Sequence, residues 1–341
     1  MKTTIVFFVA VLAAGCSPKE KKAQKKASDI SPSGIILFET RPLVPARYFD
    51  IGTILADGSE VSLLTTHEET DKINNSDAVF SPDGSRVVFC IDSGKVSLFK
   101  SELHVMDATD SDMDGFGDNQ YTLTHLNQQA YGASWVATGS GSKIGFQNES
   151  ESGIRFSVIY LNNDLETDSI IPRSAYKWED MDFVFSPDGR KVLFLREVAS
   201  EEGKQRSYVI YTRDEDGSNE KRLTLQDGYL RMYPAWSNDG KKIVYACNKA
   251  DGENRHLYTM DATEGEYDEG SNQQLTFYGS SNVLPVFSPC GNYIAFSSDR
   301  DGTYDIFIMP VTGETPTEKA EKLTGTDTDD EFPSDWVMGG G

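Results

Sequence analysis

At 341 residues, 38% of them hydrophobic and 25% charged, the chain is long enough for two average domains or one large all-β domain and apolar enough to bury a core, which excludes wholesale disorder. Its 54 acidic residues against 32 basic ones give a formal charge of −22, a field that repels phosphates and excludes nucleic acid as a partner. Residues 1–29 hold six Lys and two acidic groups, so the rest carries 26 basic against 52 acidic residues, a net of −26 that favours cations or basic partners.

The N-terminal stretch predicts a signal peptide over residues 1–15: Lys2, an apolar run from Ile5 to Ala14, then small residues up to Cys16. The run is too short to span a bilayer as a helix. "LAAGC", Leu12 to Cys16, resembles the lipobox of bacterial lipoproteins, with Ala13 where that motif more often has Leu. The resemblance implies that Cys16 is lipidated and becomes the new N-terminus; a plain signal peptide cut near Ala14 is the alternative. One acyl chain anchors only marginally, and the lipoprotein route implied here attaches more than one. Lys19, Lys21, Lys22, Lys25 and Lys26 follow without apolar periodicity, so residues 16–30 read as a flexible tether reaching about 45 Å when extended. Ser17 after the lipidated Cys16 implies delivery to the outer membrane, facing the periplasm.

From there a short phrase recurs: "FSPDGSRVVF" from Phe80, "FSPDGRKVLF" from Phe185, "WSNDGKKIVY" from Trp236 and "FSPCGNYIAF" from Phe287. Each has an aromatic closing one strand, Ser-Pro-Asp-Gly suited to a type I turn, and an alternating apolar strand after it, so each is a β-hairpin. The closing aromatics Phe80, Trp135, Phe185, Trp236, Phe287 and Trp336 are spaced by 55, 50, 51, 51 and 49 residues. A third strand follows each hairpin, as in "LHVMD", "YVIYT" and "DIFIM", and a fourth begins near a repeated Leu-Thr, at Leu123, Leu223, Leu275 and Leu323. Four strands per unit at this period are the mark of propeller blades. The copy at Trp135 is worn, with Val136, Ala137 and Thr138 in place of Ser-Pro-Asp, yet Gly139 and "KIGF" keep step.

The two ends complement each other. "FPSDWVMGGG" supplies a first strand through Trp336, while "SPSGIILFE", from Ser31, opens on the turn and passes into a second strand with Phe38 in the aromatic slot. Pairing the C-terminal strand with the N-terminal ones in one blade predicts an all-β, six-bladed β-propeller over residues 31–338.

"FSPDG", "WSNDG" and "SSDRDGTYDIFIM" look like the PD40, or WD40-like, repeats of the TolB propeller family, whose namesake is a periplasmic protein of the cell-envelope Tol system. That resemblance implies a propeller fold and an envelope location; propellers of this kind serve as binding platforms, peptidase gates or lyases. It also implies a possible place as a structural subunit of a Tol-like complex.

One loop carries metal chemistry. "DSDMDGFGD", between the third and fourth strands of the second blade, fits the D-x-D-x-D-G-x-x-D spacing of calcium loops. Asp110, Asp112, Asp114 and Asp118 supply carboxylates and Phe116 a carbonyl, and four carboxylates in nine residues repel one another unless a hard cation such as Ca2+ neutralises them. It resembles the cation hairpins of integrin α-chain propellers; an EF-hand is excluded because Tyr121 stands where that loop needs Glu. The alternative is a solvated acidic turn, and the cation's role is structural.

No catalytic constellation is found. His67, His104, His125 and His256 are scattered, with His104 and His256 on equivalent third strands, and no G-x-S-x-G elbow is present. Cys90, Cys247 and Cys290 lack zinc or redox spacing and read as small thiols, with a disulfide among them left open. Trp178 lies outside the repeated aromatic slot and reads as loop packing or a partner contact. The expectation is a monomeric, non-enzymatic propeller held to a membrane by its lipid, binding an envelope protein, a peptide or a glycan. The alternative is a metal-assisted lyase or hydrolase, which requires several histidines from different blades to converge.

Overall fold

The computed structural model describes residues 32–43, 48–66, 73–93, 101–112, 117–124, 129–150, 153–162, 167–173, 180–199, 206–249, 252–262, 271–277, 279–311, 320–325 and 328–338. Among them, twenty-four strands form six antiparallel sheets of four. Blade 1 holds β1 (Ile35–Pro42), β2 (Asp50–Leu55) and β3 (Ser62–Leu63). Blade 2 is β4 (Ile73–Phe80), β5 (Arg86–Ser93), β6 (Ser101–Asp107) and β7 (Tyr121–Thr122). Blade 3 is β8 (Gln129–Thr138), β9 (Gly141–Ser150), β10 (Gly153–Leu161) and β11 (Thr167–Arg173). Blade 4 is β12 (Asp180–Phe185), β13 (Lys191–Ala199), β14 (Arg206–Asp214) and β15 (Lys221–Arg222). Blade 5 is β16 (Arg231–Trp236), β17 (Lys242–Cys247), β18 (His256–Asp261) and β19 (Gln273–Gln274). Blade 6 is β20 (Asn282–Phe287), β21 (Tyr293–Ser298), β22 (Asp305–Pro310) and β23 (Glu321–Lys322). The last strand, β24 (Asp329–Val337), returns to blade 1 and pairs with β1, setting Ile36 opposite Trp336 and Glu39 opposite Phe332.

Local chemistry explains the repeated unit. In blade 2 the Gly84 amide bonds to the Ser81 carbonyl at 2.8 Å, and the Ser81 hydroxyl donates to Asp83 Oδ1 at 2.6 Å while accepting the Arg86 amide at 2.9 Å. The same bonds recur at Ser186 and Asp188 and at Ser237 and Asp239. In each, the serine's hydrogen bond is the largest of the effects holding the Asp carboxyl below its ordinary range, as a turn-forming role requires. Blade 6 puts Cys290 in the Asp slot, 3.5 Å from the Ser288 hydroxyl.

The Leu-Thr pair ends the fourth strand instead of opening it. Leu64, Leu123, Leu223 and Leu275 are buried and Leu323 partly so, and the Thr hydroxyl oxygen takes a backbone amide of the third strand: Thr124 from Leu103 at 2.9 Å, Thr224 from Ile210 at 2.9 Å and Thr276 from Leu257 at 2.8 Å. A side chain occupying that donor stops the ladder, which is why these outer strands are two residues long. Blade 3 has no such pair, and β11 runs for seven residues.

The core is divided among the seams. Six apolar clusters each join two neighbouring blades, from Leu37, Ile51 and Phe80 between blades 1 and 2 round to Phe38, Ile306 and Trp336 between blades 6 and 1. A closed ring follows, since every sheet buries both faces. The worn third blade keeps its place through a glycine: a Cβ on Gly145 would lie 2.6 Å from the Phe156 ring and 2.7 Å from Phe185, and those two rings pack 5.6 Å apart at the next seam.

Candidate functional site

The inner strands β4, β8, β12, β16, β20 and β24 surround the propeller axis, and each is irregular at one place. Pairing with the second strand shifts register at Ser76/Val79, Tyr131/Ser134, Met181/Val184, Met232/Ala235 and Val283/Val286. In each of these five bulges one residue takes a left-handed backbone: Asp77 (φ 54), Gly132 (φ 63), Asp182 (φ 53), Tyr233 (φ 55) and Leu284 (φ 50). Such a conformation costs a non-glycine residue about 1–3 kcal/mol and persists only where its surroundings enforce it.

Here the enforcement comes from the preceding blade. Glu39 Oε1 accepts the Ala78 amide at 3.2 Å, Asp77 Oδ2 the Gly132 amide at 3.2 Å and Gln147 Oε1 the Asp182 amide at 3.1 Å, while the Asp182 carboxyl takes the Tyr233 amide. Asp335 likewise takes the Phe80 amide at 3.0 Å. These bonds run from blade to blade and leave Glu39, Asp77, Asp182 and Asp335 around the axis. Asp77 is exposed to solvent, yet neighbouring strands crowd it, and burial raises its carboxyl above the ordinary range. Burial and then the charge of Asp77 raise Glu39, and burial pushes Asp182 and Asp335 up to about 6.

The two ends of the ring differ. Ser-Pro-Asp-Gly turns and the third-to-fourth connections crowd one end, which we call the turn end; the second-to-third and fourth-to-first connections form the loop end. At the loop end the Arg41 guanidinium bonds to Asp330 at 3.0 Å and lies 5.0 Å from the centre of the Phe49 ring and 5.9 Å from that of Phe332. Tyr304 packs on Phe332 at 5.3 Å, and its amide bonds to Asp330 Oδ1 at 3.1 Å. Aromatic rings and arginine beside a carboxylate-lined opening have the composition of an interface centre.

The acidic loop lies at the turn end. Asp110, Asp112 and Asp118 each bring a ligand atom within 4.8 Å of the others, although Asp114 and Phe116 fall outside the described residues. The Ser111 amide and hydroxyl donate to Asp118 Oδ2 at 3.2 and 2.5 Å, and the Gly117 amide bonds to the Leu64 carbonyl of blade 1 at 2.8 Å. The described donors are all hard oxygens, as calcium requires.

No family model matches the chain. The curated relatives it matches include the Tol-Pal system protein TolB of Francisella tularensis strains FSC147 and OSU18, 33% identical over 107 residues; that stretch is 30% of this chain and 23% of the relative, so the match spans about a quarter of their length. Solved structures agree over far more of it. TolB from Acinetobacter baumannii superposes with a TM-score of 0.65 over 90% of this chain and 67% of that one at 18% identity. The chain is a TolB-like β-propeller. A putative TolB from Agrobacterium tumefaciens gives a TM-score of 0.54 at 14% identity over 88% of this chain and 96% of that one. Kuenenia stuttgartiensis hydrazine synthase gives 0.67 at 16% identity over 90% and 47%, so the likeness shows the fold alone.

In the TolB-like propeller the two described histidines lie on third strands, His104 in β6 against the Phe89 ring at 5.9 Å and His256 buried in β18, in blades 2 and 5. His67, His125, Trp178 and Cys16 lie outside the described residues. Cys90, Cys247 and Cys290 are free thiols, the first two buried. Sequence patterns did not single out Glu39, Asp77, Asp182, Tyr233 or Asp335. Counting three residues back from each closing aromatic would have found the bulge residues Asp77, Asp182 and Tyr233.

Proposed function

We propose that this propeller is a non-catalytic docking platform of the bacterial cell envelope, tethered through lipid on Cys16, whose loop end holds a protein or peptide segment. The observation that carries the proposal is the cluster of Arg41, Phe49, Phe332 and Tyr304 at the carboxylate-lined opening. Similarity to TolB, named for the Tol-Pal system, supports the envelope setting. Placement of the described histidines on third strands, away from the axis, disfavours the metal-assisted lyase.

The test is a photo-crosslinking amino acid placed at Tyr304, on the loop end, or at Ser85, on the turn end, in the chain expressed in its own cells. A discrete adduct is expected from position 304 and none from position 85. Adducts from position 85 alone, or a glycan adduct in place of a protein, would refute the protein-docking proposal. In the same cells Cys16→Ser is expected to move the chain from the membrane pellet to the soluble fraction; persistence in the pellet would remove the lipid tether.

We further propose that the loop carrying Asp110, Asp112 and Asp118 binds calcium as a structural pin at the turn end. Titration calorimetry should show a calcium heat that Asp112→Ala abolishes, with a calcium-dependent rise in the thermal midpoint. Equal heats from the parent and the variant would rule the site out.

A further inference from the structure

In so acidic a chain, arginines that are not fully exposed find carboxylates. Among the described residues Arg41 pairs with Asp330 at 3.0 Å, Arg86 with Asp107 at 3.5 Å, Arg196 with Asp180 at 2.5 Å, Arg213 with Glu220 at 3.4 Å and Arg231 with Asp227 at 2.7 Å. Arg255 and Arg300, both half-buried, form no ion pair among the described residues. They stand on the second-to-third connections of adjacent blades, 5 and 6, both at the loop end.

A shared residue ties them together. The Asn282 amide nitrogen donates to the Arg255 carbonyl at 2.7 Å, while the Arg300 guanidinium donates to Asn282 Oδ1 at 3.3 Å. Arg300 is also held over the Phe307 ring at 4.2 Å and bonded to the Ser298 hydroxyl at 3.0 Å, so its position is fixed without an acid partner. Arg255 Nε is buried with no hydrogen-bond partner. Its charge is felt by the phenols of Tyr233, on the inner-strand bulge, and Tyr304. Asp299 and Asp301 act on Arg300 from a distance, and Asp182 and Asp330 act on the tyrosines, without an ion pair to either guanidinium. Burial lowers the Arg300 pKa, so an uncompensated cation is held in partly desolvated surroundings.

We propose that Arg255 and Arg300 form a subsite at the blade 5–6 seam that binds one carboxylate of the docked segment. Guanidinium groups match a carboxylate in a planar, bidentate fashion. Against a net charge of −22 no general attraction draws an anion here, so recognition is confined to a group reaching these two side chains. A docked chain thus meets opposite signs at one opening: carboxylates around the axis on blades 1, 2 and 4, and arginines on blades 5 and 6. The proposal deepens the docking-platform proposal and rests on it only for the owner of the carboxylate.

The test uses the full chain in detergent at low ionic strength, titrated with malonate against a sodium chloride control of equal ionic strength. Saturable binding in the millimolar range is expected, weakened at least about tenfold by Arg255→Gln and by Arg300→Gln and unchanged by Arg86→Gln at the turn end. Arg300→Lys, which keeps the charge and loses the fork, should fall between the parent and Arg300→Gln, and unliganded thermal midpoints confirm that each variant folds. Three N-acetylated tripeptides then separate the sources: Ac-Ala-Asp-Ala-NH2 offers a side-chain carboxylate, Ac-Ala-Ala-Ala-OH a terminal one, and Ac-Ala-Ala-Ala-NH2 neither. Binding of either acid but not the amide supports the subsite. Malonate binding no better than chloride, or equal affinity in Arg255→Gln, overturns it. Should these probes bind while position 304 yields no adduct, the docking proposal fails and the subsite stands.

Discussion

Trp336→Ala is expected to destabilise the propeller by about 3–5 kcal/mol and to lower its thermal midpoint by on the order of 10 °C. The indole is 4% exposed and packs among Ile36, Phe38, Ile54, Ala295, Ile306 and Ile308. Its Nε1 donates to the Ser33 carbonyl at 3.1 Å. Truncation therefore removes a large apolar volume and also strands a carbonyl, at the one blade assembled from the two ends of the described chain. Calorimetry of the variant beside Trp236→Ala separates closure from generic packing. Trp236 is only half-buried, with Nε1 3.4 Å from the Val184 carbonyl, so its loss should cost less. Equal costs for the two would mean that the closing blade has no special hold on the ring.

Asp180→Ala is expected to cost about 3–5 kcal/mol, because it leaves a cation without its closest partner inside blade 4. Arg196 Nε and Nη2 donate to the two Asp180 oxygens at 2.5 and 3.0 Å, and Asp180 is fully buried. The same guanidinium reaches Glu220 at 2.7 Å and lies 4.6 Å from the centre of the Tyr211 ring. Glu220 remains in the variant, which sets the expectation at the lower end of the range. The double change Asp180→Leu with Arg196→Met should recover most of the loss, since apolar residues of similar volume often replace a buried pair at little cost. Chemical denaturation of the three proteins measures this. A double variant as weak as Asp180→Ala would show that the pair is worth more than the space it fills.

The ring was legible because its turns repeat one set of residues at a nearly constant period. Ser-Pro-Asp-Gly fixes a turn by hydroxyl, carboxylate and ring geometry together, so Ser81 and Ser186 marked their blades, and near-copies at Ser237, with Asn for Pro, and Ser288, with Cys for Asp, marked two more. Blade 3 was legible despite losing that turn, because Gly139 and the "KIGF" strand ending on Phe146 kept step. The place of the outer strand relative to the Leu-Thr pair was misread for a physical reason. The Thr hydroxyls of the Leu-Thr pairs take the amides that a longer ladder would use, and apolar alternation says nothing about that competition.

The opening was largely illegible. Asp77, Gly132, Asp182, Tyr233 and Leu284 share a left-handed backbone and a place in the ring while their side chains run from carboxylate to aliphatic, so no pattern of types unites them. A polar residue in a strand reads as solvent-facing, and nothing local says that the solvent is a narrow axis. Arg255 and Arg300 meet through Asn282 across two blades, a relation that only the folded ring creates.

Sharing blade 1 between β1 and β24 also dictates an order of assembly. During synthesis β1, β2 and β3 appear early, but Ile36 and Phe38 stay bare on one flank until Asp329–Val337 has been made. Stacked-repeat arrays can grow from any point because each unit needs only its neighbours. This molecule instead holds the flank of its first blade unfinished until β24 has been made, nearly three hundred residues after β1, so its completion is a late, long-range event, and the interval before it is when the nascent chain most needs protection from other chains.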